Sequence, residues 1–361
     1  MTFPILTIGD VVARVPIVQG GMGVGISLSG LAAAVANQGG VGVIAAAMIG
    51  MKESDAGTDP RGANVRALRK EIRAARAMTK GIIGVNIMVA LTDYDELAEA
   101  SVEEGVDIIF SGAGLPVDLP KHAPAGSHTK LAPIVSSGRA ASILCRKWLH
   151  KYHRLPDALV VEGPKAGGHL GFKPEQLDQP EFALEILVPE VLAAVRPFEE
   201  ENKTKIPVIA AGGVYTGADI HRFLRMGAAA VQMGTRFVAT HECDADDAFK
   251  QSYVTAKADD MVVIKSPVGL PGRAIGNQFI TDVANGLRKP FKCPYKCLKT
   301  CDYHTAPYCI AMALTNAKRG KLKYGFAFAG ANAYRTTRII SVAELIDELR
   351  TEYDAAVTAE A

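Results

Sequence analysis

The chain has 361 residues, of which 48% are hydrophobic and 22% are charged, and its formal net charge is +2. This composition is typical of a globular protein with a large core, and the small net charge argues against a nucleic-acid or membrane-surface partner. No apolar run reaches about 18 residues, and the first residues lack a basic and then apolar signal pattern, so we expect a cytoplasmic protein without a membrane span.

Short apolar segments alternate with helical patterns through the first two thirds of the chain. Each segment ends in glycine or a small polar residue, as buried parallel strands do where they lead into loops. The predicted strands lie at 15–19, 42–46, 107–110, 132–135, 158–161, 207–210 and 229–233, with one more ending near Asn86. The predicted helices lie at 28–37, 64–79, 93–104, 139–151, 184–195 and 217–226, with Ser27 and Thr216 as N-caps.

Eight such β–α units in about 220 residues match a (β/α)8 barrel, or TIM barrel, in number and length. A doubly wound open sheet is the alternative, but it would not require glycine-rich or polar ends on all the strands. We therefore expect a barrel at 1–240, an extension at 241–340 that contains the cysteine cluster and covers the barrel mouth, and a C-terminal helix and tail at 341–361.

Two glycine clusters follow the seventh and eighth predicted strands. Gly212 and Gly213 end one strand, and Gly234 and Thr235 end the other. Barrels often bind phosphate at this position, because loop amides point at the anion and a hydroxyl group adds a bond. The pair of clusters therefore predicts a ligand that carries a phosphate group.

Two side-chain amides, Gln19 and Asn86, stand at the ends of the first and third predicted strands. An amide donates and accepts hydrogen bonds at once, which suits the edge of a flavin ring, although it can equally cap the next loop. Phosphate contacts on one side of the mouth and amides on the other would fit FMN lying across the rim.

The segment 158–172, ALVVEGPKAGGHLGF, places a lone histidine, His169, in a glycine-rich loop after the sixth predicted strand. Histidine can take or give a proton near neutral pH, and glycines let a ligand approach the backbone. The alternative is a loop histidine that is hydrogen-bonded to nearby carbonyl groups.

Five segments together resemble the nitronate monooxygenase (2-nitropropane dioxygenase) family of FMN barrel enzymes, which includes flavin-dependent enoyl-acyl-carrier-protein reductases. These segments are PIVQGGMG at 16–23, GVNIM at 84–88, EGPKAGGHLG at 162–171, PVIAAGGV at 207–214 and VQMGTRF at 231–237. The resemblance implies an acid–base role for His169. It implies cofactor contacts from Gln19, Gly20, Gly21, Met22, Asn86, Gly212, Gly213, Gly234 and Thr235, and we add Glu162 and Gly168 as candidates.

Four of the six cysteines lie close together in the sequence, at Cys293, Cys297, Cys301 and Cys309. In a chain of cytoplasmic type this spacing favours a metal over disulfides. Four thiolates fit a [4Fe–4S] cluster or a tetrahedral zinc, and three cysteines at four-residue intervals favour the cluster. Free thiols are the remaining alternative.

The cysteine segment, with KSPVG at 265–269 and GANAYR at 330–335, is similar to flavin- and iron–sulfur-containing acyl-carrier-protein dehydrogenase/isomerases, in which the gap before the fourth cysteine is longer. This resemblance implies an FMN-dependent oxidoreductase that introduces and moves a double bond in an acyl thioester during unsaturated fatty acid synthesis. A nitronate monooxygenase and an NAD(P)H-dependent enoyl reductase are the alternatives. The expected partners are a small-molecule or carrier-bound substrate and oxygen or another electron acceptor, and a homodimer stays open.

Overall fold

The computed structural model describes residues 3–124, 126–290 and 292–360. Within them a short antiparallel hairpin, β1 (Leu6–Ile8) and β2 (Val11–Ala13), precedes a closed parallel barrel. The barrel strands are β3 (Ile17–Gln19), β4 (Val41–Ala45), β5 (Ile82–Met88), β6 (Ile108–Gly112), β7 (Lys130–Val135), β8 (Leu159–Glu162), β10 (Val208–Ala211) and β11 (Ala230–Met233). The predicted (β/α)8 barrel is therefore confirmed, and each predicted strand agrees with an observed one to within about two residues.

The register brings the carboxyl ends of the strands to one rim. Ala211 of β10 pairs with Glu162 of β8, and Met233 of β11 pairs with Gln19 of β3. Because loops that leave this rim carry the ligand contacts in such barrels, the predicted site residues are brought together although they are distant in sequence.

The helices pack around the barrel and onto the extension. They are α1 (Ser29–Asn37), α2 (Pro60–Met78), α3 (Tyr94–Glu103), α4 (Gly138–Tyr152), α5 (Leu184–Asn202), α6 (Gly217–Arg225), α7 (Thr235–Val238), α8 (Asp247–Thr255), α9 (Gln278–Ala284), α10 (Ile310–Lys318) and α11 (Val342–Glu360). The hydroxyl of Thr216 accepts a hydrogen bond from the Asp219 amide, as predicted for an N-cap. The predicted cap at Ser27 is wrong, because distant carboxylates cap α1 instead: Asp244 accepts from the Leu28 amide.

The barrel interior is an apolar cluster that the hairpin closes at the end opposite the rim. Leu6 and Ile8 of the hairpin pack in one cluster with Val18, Val41 and Phe110 of the strands. The barrel is thus a filled core, and it leaves the rim as the place where a ligand can enter.

The extension returns to the rim and pairs with the loop after β8. The strands β12 (Met261–Lys265) and β13 (Pro271–Ile275) form an antiparallel sheet with the two-residue strand β9 (Gly168–His169). The last helix, α11, packs instead on α6 and α1 at the outer wall of the barrel. No helix among the described residues is both long and apolar enough to span a membrane.

Candidate active site

A cavity of about 260 Å³ opens at the rim, between the strand ends and the extension. Almost all the predicted site residues line it, although they come from five different strands of the barrel. They are Gly20, Gly21, Met22, Asn86, Glu162, Gly168, His169, Gly212, Gly213, Gly234 and Thr235. The structure therefore brings together residues that are up to 215 positions apart in the chain (20 to 235).

Gln19 is the exception, because it lies beneath the cavity and is fully buried. Its Oε1 accepts a hydrogen bond of 2.9 Å from the Val43 amide, and its Nε2 donates to the Gly20 carbonyl. Both ends of the side-chain amide are thus used within the protein. Instead of facing a ligand as predicted, Gln19 ties the end of β3 to β4 and holds the loop that follows.

Gly21 must be a glycine because it touches Asn86. A Cβ atom at position 21 would lie 2.2 Å from the Cβ atom of Asn86, well inside the closest approach of two carbon atoms. The Met22 amide also donates to the Ser27 hydroxyl group at 2.9 Å, which fixes the next turn of the loop. The loop after β3 therefore presents its backbone to the cavity, and the Asn86 side chain lies directly beside it.

The predicted phosphate contacts form the wall next to the loop after β3, since β11 pairs with β3, and the extension closes over them. Gly212 and Gly213 adopt φ values of +91° and +95°, which side chains other than glycine rarely adopt. The Thr235 hydroxyl accepts a hydrogen bond of 3.0 Å from the Gly330 amide. Asn332 donates to the Gly213 carbonyl at 2.7 Å. The segment around Gly330 and Asn332 thus completes a wall that the barrel loops begin.

His169 sits where the extension meets the barrel. Its Nε2 lies 2.8 Å from the Ser266 hydroxyl group, and its ring packs edge-on against Phe328 at 5.0 Å between centroids. The ring keeps an edge toward the cavity, yet protein surrounds most of it, and this burial lowers the pKa of His169 to about 4. The imidazole is therefore neutral at physiological pH and can accept a proton.

Glu162 is a further titratable group on the cavity wall, and its pKa is also shifted. Burial disfavours its charged form and raises its pKa to about 7. At neutral pH its carboxyl group is consequently divided between the protonated and the ionised state. Two groups whose pKa values are shifted in opposite senses in one cleft are typical of an active site.

Several residues of the extension line the cavity or, in the case of Ser266, contact His169 at its edge, and they were not predicted as site residues. Ser266, Phe328, Gly330 and Asn332 approach the barrel only through folding, and Ser266 is 97 positions from His169. The KSPVG and GANAYR segments contain three of them, so a signal existed in the sequence. No local pattern indicated which of their side chains would face the rim.

Two of the four clustered cysteines pack with residues that line the cavity. Cys297 and Cys309 belong to one apolar cluster with Val24 and Leu314, and both of those residues line the cavity. Each of the four thiols interacts electrostatically with the other three. Burial is the main cause that raises the pKa of Cys297 to about 12, with smaller contributions from the neighbouring thiols.

The predicted metal site at these cysteines is not confirmed. Among residues 3–124, 126–290 and 292–360, no group of three or more His, Cys, Asp or Glu side chains is arranged to hold a metal ion. All four thiols are half-buried and free of disulfide bonds. This finding bears on the predicted [4Fe–4S] cluster and on the zinc alternative alike, since both take four thiolates.

Comparison with known proteins gives one matching family and several related enzymes. The family model for nitronate monooxygenase matches residues 7–352. The "(3aS,4S,5R,7aS)-5-hydroxy-7a-methyl-1-oxo-octahydro-1H-indene-4-carboxyl-CoA dehydrogenase" of Mycobacterium tuberculosis is 31% identical over 276 residues, which is 76% of this chain and 66% of the relative. The chain thus spans just under two thirds of that relative's length. A probable nitronate monooxygenase of Staphylococcus aureus is 26% identical over 306 residues, 74% of this chain and 77% of the relative.

Solved structures match over nearly the whole chain. FabK from Thermotoga maritima has a TM-score of 0.73 at 28% identity, covering 96% of this chain and 95% of that chain. A nitroalkane oxidase from Streptomyces ansochromogenes has a TM-score of 0.74 at 23% identity, covering 97% and 98% of the two chains. The second likeness concerns the fold alone.

Proposed function

The chain belongs to the nitronate monooxygenase family and is an oxidoreductase of the FMN-dependent type, and from that premise we propose that it dehydrogenates acyl thioesters. In this proposal the substrate is a saturated acyl group on coenzyme A or an acyl carrier protein, and the double bond introduced at C2–C3 can then be moved along the chain. The observation that carries the proposal is the group of four thiols beside the flavin cavity.

The residues of the cavity fit FMN. One wall offers the backbone of Gly20 and Gly21 and the Asn86 amide, whose side chain makes no hydrogen bond among the described residues. The adjoining wall, at the ends of β10 and β11, offers the amides at Gly212 and Gly213 and the Thr235 hydroxyl, which suit a phosphate group. When bound, FMN supplies the acceptor for the hydrogen and the electron pair that leave C3 of the substrate.

His169 is the base in this proposal. If its Nε2–H group donates to Ser266, the lone pair lies on Nδ1, and the low pKa keeps that nitrogen unprotonated. The C2 proton of a thioester is weakly acidic, so a neutral base that a hydrogen bond holds in place is suited to removing it. Donating the proton back at a different carbon would move the double bond.

The thiols are proposed to hold a [4Fe–4S] cluster. Such a cluster takes four cysteine thiolates and is larger than a single ion, so its ligands need not converge as they do for zinc. Cys309 is the N-cap residue of α10, where burial has the largest effect and raises the pKa of its thiol, while the nearby amides of Ala311 and Met312 lower it. Residues 90–92 hold the rest of the segment, since the Thr92 amide donates to the Cys297 carbonyl. A cluster here would stand next to the flavin, where electrons leaving the site could pass to oxygen or another acceptor.

An anaerobic preparation tests the proposal. The protein is expected to be brown, with flavin and iron–sulfur absorption and about four irons per chain. Adding a saturated acyl-CoA without oxygen should bleach the flavin and yield the 2-enoyl product. A yellow, iron-free protein that consumes oxygen with nitronates would favour the nitronate monooxygenase alternative, which the Staphylococcus relative supports. Rapid bleaching by NADH or NADPH would favour an enoyl reductase.

Replacing one cysteine of the segment separates the cluster from the flavin. In Cys297→Ser we expect most of the iron to be lost, because a hydroxyl group is a poor ligand for a soft iron–sulfur centre, while the flavin is retained. Cys145→Ala is the matched control, since Cys145 is buried in α4, far from the segment in sequence. Equal iron content in both variants would contradict the cluster assignment.

Gly21→Ala tests whether FMN binds against the loop after β3 and Asn86. The added Cβ atom would meet Asn86 at 2.2 Å and must push that side chain or the loop out of place. Overpacking of this kind costs about 1–3 kcal/mol, so we expect FMN to bind about ten-fold more weakly or worse in a fluorescence titration. Gly57→Ala, at a position with nothing within 4 Å of the new atom, should bind FMN as the wild type does. Unchanged affinity in Gly21→Ala would place the flavin elsewhere.

A further inference from the structure

A second, smaller cavity of about 90 Å³ lies beside the flavin cavity. It is enclosed by the loop after β3, the loop after β4, one face of α2 and the end of α10. Val24 lines both cavities, so the second one stands directly behind a wall of the first. No residue given a role in the proposed chemistry lines it.

Two polar side chains of α10, Thr315 and Lys318, line this cavity without a hydrogen-bond partner among the described residues. The Thr315 hydroxyl group is inaccessible to solvent and makes no hydrogen bond, and its residue is 5% exposed. Lys318 is 8% exposed, and its ammonium group makes no hydrogen bond or ion pair with the part of the chain that the structure describes. Residues three apart share a helix face, so both groups border the same space. Buried polar groups in proteins are nearly always partnered, and a lone ammonium group is costly.

The charges around the cavity leave it positive. Three exposed cations, Lys52, Lys70 and Arg319, line it together with Lys318, against two carboxylates, Glu53 and Glu71. The Oε2 atom of Glu71 is engaged by the amide and the hydroxyl group of Ser29, at 3.0 Å and 2.5 Å. Asp244, which also attracts Lys318, accepts from the amides of Leu28 and Leu31. Glu71 and Asp244 thus make their hydrogen bonds to the first turn of α1 and act on Lys318 only through their charge.

The pKa of Lys318 reflects this burial and positive surroundings. Burial lowers its pKa to about 8, and the charge of Lys52 adds to the effect, while Asp244 and Glu71 oppose it. An anion placed between these cations would stabilise the charged form of Lys318 and so offset both effects on its pKa.

We propose that this cavity binds a phosphate group, with the Lys318 ammonium and the Thr315 hydroxyl as its donors from α10 and Lys52, Lys70 and Arg319 around its mouth. A tetrahedral dianion matches the positive lining and takes several donors at once. Its source is either inorganic phosphate or a phosphate of the carrier thiol that delivers the acyl group. The second source rests on the proposed function, whereas the first does not.

A phosphate bound in this cavity should change the affinity of the protein for FMN. Lys318 packs against Gly25, where a Cβ atom would lie 2.6 Å from the Lys318 Nζ, and Gly25 follows Val24 in the loop that walls both cavities. A bound phosphate would hold Lys318 in one position and with it this loop. We therefore expect phosphate to tighten FMN binding, and FMN to tighten phosphate binding by the same factor.

Titration of the flavin-loaded protein with phosphate tests the inference without any turnover. Calorimetry in a phosphate-free buffer should show binding of inorganic phosphate to the wild type, weakened about ten-fold or more in Lys318→Met and in Thr315→Val. Lys321→Met, at an exposed lysine just beyond α10, should bind as the wild type does. Flavin content shows that each variant is folded, and if one variant does not fold, the other decides.

The source of the phosphate is read from two further titrations. If coenzyme A binds and Lys318→Met weakens coenzyme A but not pantetheine, the site takes the phosphate of a carrier thiol. If inorganic phosphate alone depends on Lys318, the site takes free phosphate, and the acyl-thioester proposal is neither helped nor harmed. No phosphate binding at millimolar concentration, or equal binding by the wild type and Lys318→Met, would overturn the inference.

Discussion

Replacing His169 by alanine is expected to lower the rate of flavin reduction by a saturated acyl thioester about 10²–10⁴-fold, which is the usual contribution of a positioned general base. The flavin content should stay close to that of the wild type. His169 borders the cavity from β9, a strand of the extension sheet. Its neighbours Ser266 and Phe328 also contact Val268 and Phe326, respectively, so each keeps another partner when the imidazole is removed. The measurement is anaerobic stopped-flow absorbance after mixing with acyl-CoA.

The pH dependence of the same reaction gives a second readout. A protonated imidazole cannot accept the C2 proton, and the pKa of His169 is lowered to about 4 by burial, so the rate should hold from neutrality down toward pH 4 and fall below it. An ordinary histidine would instead lose activity below about pH 6.5. Ser266→Ala should keep the base but orient it less well, giving a smaller loss of rate than His169→Ala.

His150→Ala serves as the control, because His150 is an exposed histidine of α4. Its rate should equal that of the wild type. If His169→Ala reduces the flavin at a rate within about ten-fold of the wild type, another group removes the proton, and Glu162 becomes the first residue to examine.

The barrel could be predicted from the sequence because its strands are buried on both faces and read as short apolar runs that end in glycine or polar residues. The hairpin β1–β2 was missed, since its strands of three residues, Leu6–Ile8 and Val11–Ala13, are too short to show alternation. Its role as the floor of the barrel appears only when Leu6 and Ile8 are seen packed on the strands.

The candidate site was predictable on the barrel side and not on the extension side. Strand-end glycines mark backbone that must approach a ligand or another chain segment, and Gly212, Gly213 and Gly234 line the cavity as expected. Gln19 shows the limit of this reasoning, because a strand-end amide can serve the protein itself, as it does through Val43. Contacts such as Gly330 to Thr235 join positions 95 apart, and no local rule of sequence selects them.

Arg273 is expected to be the residue of the extension whose loss most disturbs the flavin cavity. It is 6% exposed, and its guanidinium group donates to the carbonyls of Pro164 and Ala166, the second at 3.0 Å. No carboxylate of the described residues lies within ion-pair distance of it, and burial accordingly lowers its pKa. A buried charge that pairs only with loop carbonyls fixes the loop that carries Lys165, Gly167 and Gly168 along the cavity wall.

Arg273→Met has two opposing effects on the free energy of unfolding. Removing a buried charge relieves its desolvation, whereas each carbonyl left without a donor costs about 1–3 kcal/mol unless water reaches it. Loop opening lets water in, so we expect only a modest change of the melting temperature. The same opening should weaken FMN binding about ten-fold or more and lower the rate, since β9 with His169 pairs with β13 beside Arg273.

Arg273→Lys distinguishes hydrogen bonding from charge. An ammonium group keeps the charge but lacks the planar fork that reaches both carbonyls, so it should restore FMN binding only in part. Arg338→Met removes an exposed arginine that pairs with Glu348 at the surface, and such pairs are worth at most about 1 kcal/mol. That variant should match the wild type in flavin affinity and rate. If Arg273→Met matches it too, the loop is held by its interlock with the extension, where Gly167 packs on Ala329 so closely that a Cβ atom would lie 2.5 Å from the Ala329 carbonyl carbon.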